Sequence, residues 1–544
     1  MMNRHILSLL LLATLISCTH REHKLEESHT LLPSLYIELP PEELEAILSD
    51  FEYKVPAHAL LLSVDKDTLF YGELDHIKTR GSNTFSQEKK PFGIKFKRKQ
   101  CLLGLEKSRS FVLLANAFDE SHIRNAIAFD LAHSIGLHAP QYAYLSLYIN
   151  GEYKGLYQMT NKVEVSKHTL NIVDLNELNK QVNPLPLDKY SQFCVKNGSD
   201  IQCRGMLLEQ SPEDYSGGYL LELVHLDGRK TPSGFAISTG EWVNIRSPKY
   251  ASEAEVDYIN DVLDSLVEAL NPSSGKNIAE YIDMRSFALY YLLQEVLQNP
   301  DGCINSFHMY KDQDDPLLYA GPAWDFDVSI NNVCFLGGLS LPNELSIRRW
   351  PGVIDPESGI LFNLLRWHPQ FQDYVADLYL KTFSPQFHTC LENGIIDSLV
   401  NLIYYDVERD NDLYHKRIDA SYDVALQRVV SFLEQRLLFL DWYYQAAPSE
   451  RVCITDVTDP MNPRYLHNPV GHPFTLPETY YLAGLSNYSP VPVWYYTGTD
   501  SIVQDGVRLY NDCKIELRWR EPTWQEIQSR RIYKKLEKWN VHFK

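Results

Sequence analysis

Residues 299–327 read NPDGCINSFHMYKDQDDPLLYAGPAWDFD, and the interpretation of the whole chain starts from this stretch. It leaves a predicted helix as a polar loop and continues as two strand-like segments over 306–310 and 317–320, joined by a turn. A hairpin returns the chain to the edge where it began. Asp301 and Asp325, which are 24 residues apart, are therefore expected on one side of a sheet.

This spacing suits phosphoryl transfer, because that reaction needs a general base close to a metal ligand. Asp325 and Asn305 offer hard oxygen ligands, which suit Mg²⁺ and not zinc. Aspartates in loops are usually turn formers, and this simpler interpretation would explain either one alone. It explains less well the sequence Asp325-Phe326-Asp327, which follows a tryptophan of buried character.

Residues 89–99 (KKPFGIKFKRK) form the densest positive segment of a chain whose net charge is −20. The cationic members are Lys89, Lys90, Lys95, Lys97, Arg98 and Lys99. The segment follows residues 80–84 (RGSNT), a turn whose small residues can bring N–H groups and hydroxyls near an anion. Together they are typical of a phosphate cradle followed by a strand lysine. Composition alone favours the alternative, a solvated strand edge protected by lysines.

The composition places the chain among soluble globular proteins of two or three folding units. It has 544 residues, of which 44% are hydrophobic and 22% charged, so it has ample material for a core. These values exclude a disordered tail, a collagen-like fibre and a polytopic membrane protein. The balance of 51 basic against 71 acidic residues argues against nucleic acid as the main partner.

The periodicity predicts an α+β fold with a β-rich first part over 31–250, a helical part over 251–448 and a small β-rich module over 449–544. Strands are predicted over 34–39, 59–64, 68–71, 92–97, 111–115, 144–149, 155–160, 219–224, 507–510 and 514–519. Helices are predicted over 42–48, 119–135, 254–270, from 283 to before Pro300, and over 360–380, 391–404, 422–444 and 524–539. Asp119 is the predicted N-cap of the second helix and Gly136 its predicted end. Asn150-Gly151, between the strands at 144–149 and 155–160, is a type I′ hairpin signature. Residues 176–212 are polar and indicate a surface insertion.

Residues 1–18 have the pattern of an export signal. A short basic start with Arg4 is followed by an apolar run over 6–16, too short to span a bilayer. The end of this run, up to Ser17 and Cys18, resembles a bacterial lipobox, with Cys18 as the lipidated mature N-terminus and the only membrane attachment. The alternative is an ordinary secretory signal with an incidental cysteine. Residues 19–30 are a predicted tether, and the protein is expected in the bacterial cell envelope.

Export makes disulfide bonds permissible in the remaining chain. Cys194 and Cys203 flank Asn197-Gly198, a strong turn signal, and could face each other across a hairpin. Free buried thiols are the alternative for this pair and for the other cysteines.

Six segments, in this order along the chain, carry a resemblance to a known family. They are 80–84 (RGSNT) with 89–92 (KKPF), 114–116 (LAN) with Asp119 and 124–125 (RN), 150–157 (NGEYKGLY), 217–222 (GGYLLE), 299–301 (NPD) and 322–327 (PAWDFD). On these segments the chain resembles the spore-coat CotH family of atypical secreted protein kinases, over roughly residues 35–444.

The resemblance implies a reduced, two-lobed kinase-like fold that transfers the γ-phosphate of ATP to Ser or Thr of a protein, with Mg²⁺ or Mn²⁺. Asp301 would orient the acceptor hydroxyl, Asp325 would hold the metal ion, and Asp327 would be a second metal ligand. The phosphate-side residues that it implies are Lys90 or Lys95 for the ATP phosphates, Arg80 with Ser82 at the phosphate end, and Glu152 or Glu222 as a partner of that lysine.

The chain departs from the kinase pattern at several positions. The usual loop spaces its aspartate and asparagine as D-x4-N, whereas here Asn305 comes one residue early and Ser306 holds the expected place. No His-Arg precedes Asp301, no Gly-x-Gly-x-x-Gly is present, and Asn161 stands where many relatives are acidic. We hypothesise a disulfide between Cys303 and Cys334 that would clamp the catalytic loop.

A second hypothesis is a kinase-fold surface lipoprotein that acts in binding or adhesion, or as a structural protein, with little or no catalysis. ATP is scarce outside the cytoplasm, and a fold does not by itself establish activity. Because both Asp301 and Asp325 are retained, the kinase hypothesis is favoured, with ATP and a protein substrate as partners.

Overall fold

The computed structural model describes residues 30–81, 84–197, 200–224, 231–302, 305–332, 360–414, 421–458, 464–474, 476, 491–521 and 523. The fold is a mixed α+β fold, which confirms the predicted class. The predicted signal and most of the tether, the C-terminal helix over 524–539, and Ser82, Cys303 and Cys334 lie outside the described residues.

The described strands and helices run from Ser34 to Arg520. The strands are β1 (Ser34–Glu38), β2 (Val55–Leu62), β3 (Thr68–Thr79), β4 (Phe92–Gln100), β5 (Ser108–Leu114), β6 (Tyr142–Ile149), β7 (Glu152–Asn161), β8 (Gln192–Asn197), β9 (Asp200–Met206), β10 (Tyr219–Val224), β11 (Gly234–Ala236), β12 (Trp242–Ser247), β13 (Phe307–Lys311), β14 (Tyr319–Ala320), β15 (Arg451–Asp456), β16 (Arg464–Pro469), β17 (Pro473–Phe474), β18 (Val491–Tyr496), β19 (Val507–Arg508) and β20 (Cys513–Arg520). The helices are α1 (Pro41–Ser49), α2 (Arg124–Ile135), α3 (Leu175–Val182), α4 (Glu253–Ala269), α5 (Met284–Leu297), α6 (Ile360–Trp367), α7 (Pro369–Leu378), α8 (Ser384–Glu392), α9 (Ile395–Tyr414) and α10 (Tyr422–Gln445). Within this part of the chain, no helix is both long enough and apolar enough to cross a membrane.

The first seven strands form a closed barrel in the order β1-β2-β3-β4-β5-β7-β6. Neighbours are antiparallel except β1 and β6, whose parallel pairing closes the barrel. Alternate apolar side chains such as Leu61, Leu74 and Phe96 fill the interior. Asn150 and Gly151 both have positive φ, 51° and 79°, which confirms the type I′ hairpin predicted between β6 and β7.

Strand β3 extends eight residues beyond its predicted end at Tyr71. Leu74 and Ile77 are both buried although they lie three positions apart, because the register with β4 shifts between Leu74 and His76. This bulge interrupts the alternation of buried and exposed residues from which strands are predicted. The sequence pattern therefore does not predict the second half of β3.

A second sheet has the order β11-β12-β10-β13-β14. Met309 pairs with Ala320 and Tyr310 with Tyr319, which confirms the predicted hairpin after Asp301. On its other side, β13 pairs with β10, which was predicted with its observed bounds. The sheet therefore combines strands from both sides of the boundary predicted at residue 250.

Helix α2 begins at Arg124, and the prediction that it begins at Asp119 as N-cap is wrong. The side chain of Asp119 instead accepts hydrogen bonds from the N–H groups of Ser121 (2.9 Å) and Arg124 (2.9 Å), so it stabilises the turn that precedes the helix. Gly136 ends α2 in the left-handed conformation, as predicted. Asp283 caps α5, because its carboxylate accepts from Ser286 N–H at 2.7 Å.

The predicted insertion over 176–212 contains most of α3 and the β8–β9 hairpin. Cys194 and Cys203 form a disulfide bond across this hairpin, which confirms their predicted pairing. Among the described residues, β15, β16, β18 and β20 form a separate four-stranded sheet with its own apolar cluster around Ile454, Leu466 and Ile515.

Glu255 in the first turn of α4 generates a prediction about pH and stability. It is fully buried, and its carboxylate accepts from Ser252 N–H (2.7 Å) and Asn179 Nδ2 (3.0 Å). Burial raises the pKa of Glu255 to about 7 from the model-peptide value of 4.5. The folded protein therefore binds this proton more tightly than the unfolded chain, and stability falls as the pH rises from about 4.5 to about 7.

We expect Glu255→Gln to stabilise the protein at pH 8 by about 3 kcal/mol, at 1.36 kcal/mol per pKa unit, and by about 1 kcal/mol at pH 5. Urea unfolding at the two pH values measures this difference. Glu253→Gln, at an exposed position of the same helical turn, is the matched control. The assignment is wrong if wild type and Glu255→Gln show parallel pH dependence.

Candidate active site

The two acidic segments predicted from the sequence are joined by Asn299. Its side-chain Nδ2 donates to the backbone carbonyl of Asp325 (2.9 Å), and its Oδ1 accepts from Asp301 N–H (3.3 Å). Asn299 follows α5 directly, whereas Asp325 follows the β13–β14 hairpin. One buried amide thus fixes the loop after the helix against the segment after the hairpin.

Ser306 contacts the carboxylate of Asp325. Its hydroxyl donates to Asp325 Oδ2 at 3.0 Å, while Asn305 uses its backbone N–H to donate to the carbonyl of Asp301 at 2.8 Å. Both Ser306 (φ 54°) and Asp325 (φ 72°) are in the left-handed region, which is uncommon for residues other than glycine. Such conformations cluster at functional sites. The position five residues after Asp301, where the kinase pattern has an asparagine, therefore places a serine hydroxyl on the carboxylate of Asp325.

The N-terminal end of α2 holds the Asp-Phe-Asp segment in place. Asn125 Oδ1 accepts from the N–H of Phe326 (2.8 Å), and Arg124 Nε donates to the carbonyl of Ser329 (2.9 Å). The guanidinium of Arg124 also pairs with Asp119. In the sequence, Asp119, Arg124 and Asn125 belong to a segment of the family resemblance and have no predicted role at the site. Hydrogen bonds to a distant loop leave no periodic pattern in the sequence, so this role could not be predicted.

Three other aspartates lie within electrostatic reach of Asp327. Burial raises the pKa of Asp327 well above its usual value, and the negative charges of Asp325, Asp301 and Asp119 raise it further. Burial also raises the pKa of Asp325, although the hydrogen bond from Ser306 and the charge of Arg80 oppose this rise. The site therefore concentrates negative charge that is only partly compensated by the side chains around it.

Three cations, Arg80, Arg246 and Lys162, lie within electrostatic reach of one another, and the charge of Arg80 also acts on the carboxylate of Asp325. Lys162 Nζ lies 3.5 Å from Glu164 Oε2. Arg80 lies directly after β3, and its guanidinium carbon is 5.6 Å from the centre of the Trp324 ring. Burial, together with Arg246, lowers the pKa of Arg80 to about 10, so it stays protonated at neutral pH. Lys162 lies directly after β7, and its side chain is 48% exposed and therefore accessible to a ligand.

Glu222 on β10 connects these cations to the second sheet. It is 3.4 Å from Arg246 Nη1 and 3.8 Å from His308 Nε2, its neighbour on β13. Burial alone would raise the pKa of Glu222, but Arg246, His308 and Arg80 lower it overall. Burial lowers the pKa of His308 to about 4, so this ring is neutral at physiological pH.

The structure does not bring every predicted phosphate-side residue to this cluster. Lys90 Nζ donates to the carbonyl of Phe85, and Lys95 faces Asp75 on β3 at 3.8 Å. Lys95 lies between Ile94 and Phe96, whose side chains fill the barrel, so strand alternation directs it to the outside. The contacts of Lys90 and Lys95 therefore lie elsewhere, and their role at the ATP phosphates stays a prediction, whereas Arg80 is the predicted cation whose charge acts on Asp325.

Of the two predicted partners of a phosphate lysine, Glu222 lies beside Arg246, whereas Glu152 lies away from these cations. Glu152 starts β7 at the exposed hairpin, its side chain is 76% exposed, and it pairs with Lys154 at 2.7 Å. Sequence reasoning missed Arg246 and Lys162. Arg246 belongs to an alternating strand, but the register that places it beside Glu222 depends on pairing with β10.

The donor set fits a hard divalent cation. Within the described ranges, no group of three or more His, Cys, Asp and Glu side chains is arranged to hold a metal ion. The oxygen atoms of Asp325, Asp327 and Ser306 are nevertheless the kind that Mg²⁺ and Mn²⁺ prefer. A divalent cation there would offset the mutual repulsion that raises the pKa of Asp327.

Comparison with known proteins identifies one family. The family model described as CotH kinase protein matches residues 77–440, a segment that contains Arg80, Lys162, Glu222, Asp301 and Asp325. No curated protein matches the chain.

The crowding of carboxylates predicts that Asp327→Asn stabilises the metal-free protein. The amide keeps the shape of the side chain and removes a buried charge, so the melting temperature should rise by about 2–4 °C for each kcal/mol gained. Thermal unfolding in EDTA measures this shift, and the variant should lose most of the additional stabilisation by Mn²⁺. Asp314→Asn in the exposed hairpin turn is the control, and a lower melting temperature of Asp327→Asn would contradict the prediction.

Proposed function

Because the chain belongs to the CotH kinase family, we propose that it transfers the γ-phosphate of ATP to a serine or threonine hydroxyl of a protein. The observation that carries this proposal is the double hydrogen bond of Asn299, which fixes Asp301 beside the segment of Asp325. The proposed base for the acceptor hydroxyl and the proposed metal ligand thus belong to neighbouring segments, which supports phosphoryl transfer.

In this proposal Asp301 accepts a hydrogen bond from the acceptor hydroxyl and orients it for attack. Asp325, Ser306 and Asp327 would hold Mg²⁺ or Mn²⁺, whose charge neutralises the phosphate oxygens when it is bound. The hydroxyl of Ser306 already orients the carboxylate of Asp325. Asn305 remains a further proposed ligand, and its backbone N–H donates to the carbonyl of Asp301.

Arg80, Arg246 and Lys162 are the proposed contacts for the triphosphate. Arg80 and Arg246 present planar donors that suit bidentate phosphate binding, and Glu222 keeps Arg246 in place. This arrangement would replace the single lysine–glutamate pair of protein kinases. Ser82 remains a proposed phosphate contact from the sequence.

We also propose that the barrel and the helical part act as the two lobes of a kinase-like domain, with the predicted module over 449–544 as an appendage. Two observations support this proposal. Each part has its own cluster of buried apolar residues, and the proposed site residues come from both the barrel and the helical part. Arg80 and Lys162 extend from barrel strands, whereas Asp301 follows helix α5.

Export with a lipid anchor at Cys18 remains a proposal. The disulfide between Cys194 and Cys203 supports it, because such bonds persist in oxidising compartments and are rare in the cytoplasm. In this proposal the domain meets its protein substrate in the cell envelope.

Asp301→Asn should lower phosphate transfer by about 10²–10⁴-fold, because the acceptor hydroxyl loses its base. Asp325→Asn should lower it at least as much, because the metal ion loses its carboxylate. The measurement incubates the purified chain with labelled ATP, Mg²⁺ or Mn²⁺ and an acceptor protein, and counts label on Ser and Thr. Autophosphorylation is read in the same assay.

Asp314→Asn is the matched control, since Asp314 is an exposed aspartate in the turn of the hairpin between the two site residues. Equal label in wild type, Asp301→Asn and Asp325→Asn would refute the assigned site. If ATP with Mn²⁺ produced neither label nor a thermal shift in the wild type, the kinase-fold binding protein would be the better interpretation.

Arg80→Gln should raise the KM for ATP by about tenfold or more, since a charge-assisted bond to phosphate contributes about 1.5–3 kcal/mol. Lys95→Gln should leave it unchanged, because Lys95 faces Asp75 on the outer side of the barrel. ATP titrations of both variants test this pair. A larger effect of Lys95→Gln would return the phosphate contact to β4.

A further inference from the structure

Lys89 is a buried cation that joins the barrel to helix α9. Its Nζ lies 2.7 Å from Asp410 Oδ1 and donates to the carbonyl of Leu156 at 2.6 Å. The same carboxylate oxygen accepts from Leu156 N–H at 2.8 Å. The side chains are only 3% and 5% exposed, and such a deep ion pair persists only with good hydrogen-bonding geometry.

The backbone of β7 is shaped to admit this ion pair. Gly155 has φ +106°, a left-handed value that side chains disfavour, and a Cβ atom there would lie 2.2 Å from Asp410 Oδ1 and 3.1 Å from Lys89 Cε. The aromatic rings of Tyr157 and Tyr414 lie 5.0 and 5.8 Å from the ammonium nitrogen. Asp410 can thus reach β7 only because residue 155 has no side chain.

Three successive anchors connect Lys89 to Arg80. The Lys89 side chain is held by Asp410, the carbonyl of Lys90 accepts from Tyr157 OH (2.8 Å), and the carbonyl of Pro91 accepts from the N–H of Arg80 (3.1 Å). After this point the chain continues into the regular pairing of β4 with β3. The position of Arg80 therefore depends on where residues 89–91 are held.

We infer that the Lys89–Asp410 pair is a positioning clamp, which ties residues 89–91 to α9 and β7 and thereby fixes Arg80 opposite Asp325. Lys89 and Asp410 are positioning residues in this inference and do not contact substrate. The expected change in the KM for ATP rests on the proposed function of Arg80. The expected change in hydrogen exchange of residues 84–92 does not.

The test uses the neutral double variant Lys89→Met/Asp410→Asn, because either single variant would leave a buried charge without its partner and could fail to fold. Gly155→Ala is a second variant, which displaces Asp410 without a change of charge. Leu433→Ala is the control, because it leaves a cavity beside α10 and lowers the stability of the protein without changing the clamp. ATP titrations should show a KM raised by about tenfold with kcat within about threefold for both clamp variants, and an unchanged KM for Leu433→Ala.

Hydrogen exchange of the nucleotide-free protein gives an independent measurement. Amides of the peptide over residues 84–92 should exchange at least about tenfold faster in the double variant and in Gly155→Ala, but not in Leu433→Ala. Unchanged exchange and unchanged KM would overturn the clamp, and if the double variant does not fold, Gly155→Ala decides. If the wild type does not use ATP, the proposed function fails, and exchange alone still decides whether Lys89 and Asp410 hold this segment.

Discussion

Asp327 is a buried carboxylate with other carboxylates near it, and burying its negative charge there costs free energy. Asp325, Asp301 and Asp119 all repel its charge. In a medium of low polarity such a group becomes neutral or requires a compensating cation. Arg80, from the barrel side, compensates part of the charge of the neighbouring Asp325. The remaining excess of negative charge would suit a divalent cation, as in the proposed function.

The second sheet determines which charges meet at this site. Pairing of β10 with β13 places Glu222 beside His308, and pairing with β12 places Asn244 opposite Glu222 and so brings in Arg246. These residues are separated by up to 86 positions in the chain. Their contact follows from strand register, which is determined by packing of both faces and not by the local sequence.

The sequence was informative where the relevant physics is local. The turn at Asn150 and Gly151, the disulfide between Cys194 and Cys203, and the hairpin after Asp301 each follow from residues a few positions apart. The phosphate-side cations are different. The density of lysines in residues 89–99 does not show in which direction each side chain points. Strand alternation turns Lys95 to the outer face of the barrel, while Lys89 is buried against α9. Because β4 pairs with both β3 and β5, it is not the strand edge of the alternative prediction.

Positive charge at the site comes from three separate elements and not from one strand lysine. Arg80 follows β3, Arg246 lies in β12, and Lys162 follows β7. Arginine keeps its charge where burial would discharge a lysine, and Arg80 stays protonated although its pKa falls to about 10. Two of the three cations are therefore arginines, which keep their positive charge when they are buried. In the proposed function these three cations bind the phosphates together, so binding would depend on the relative positions of the barrel and the second sheet. Contacts that hold these elements together would then affect the affinity for ATP.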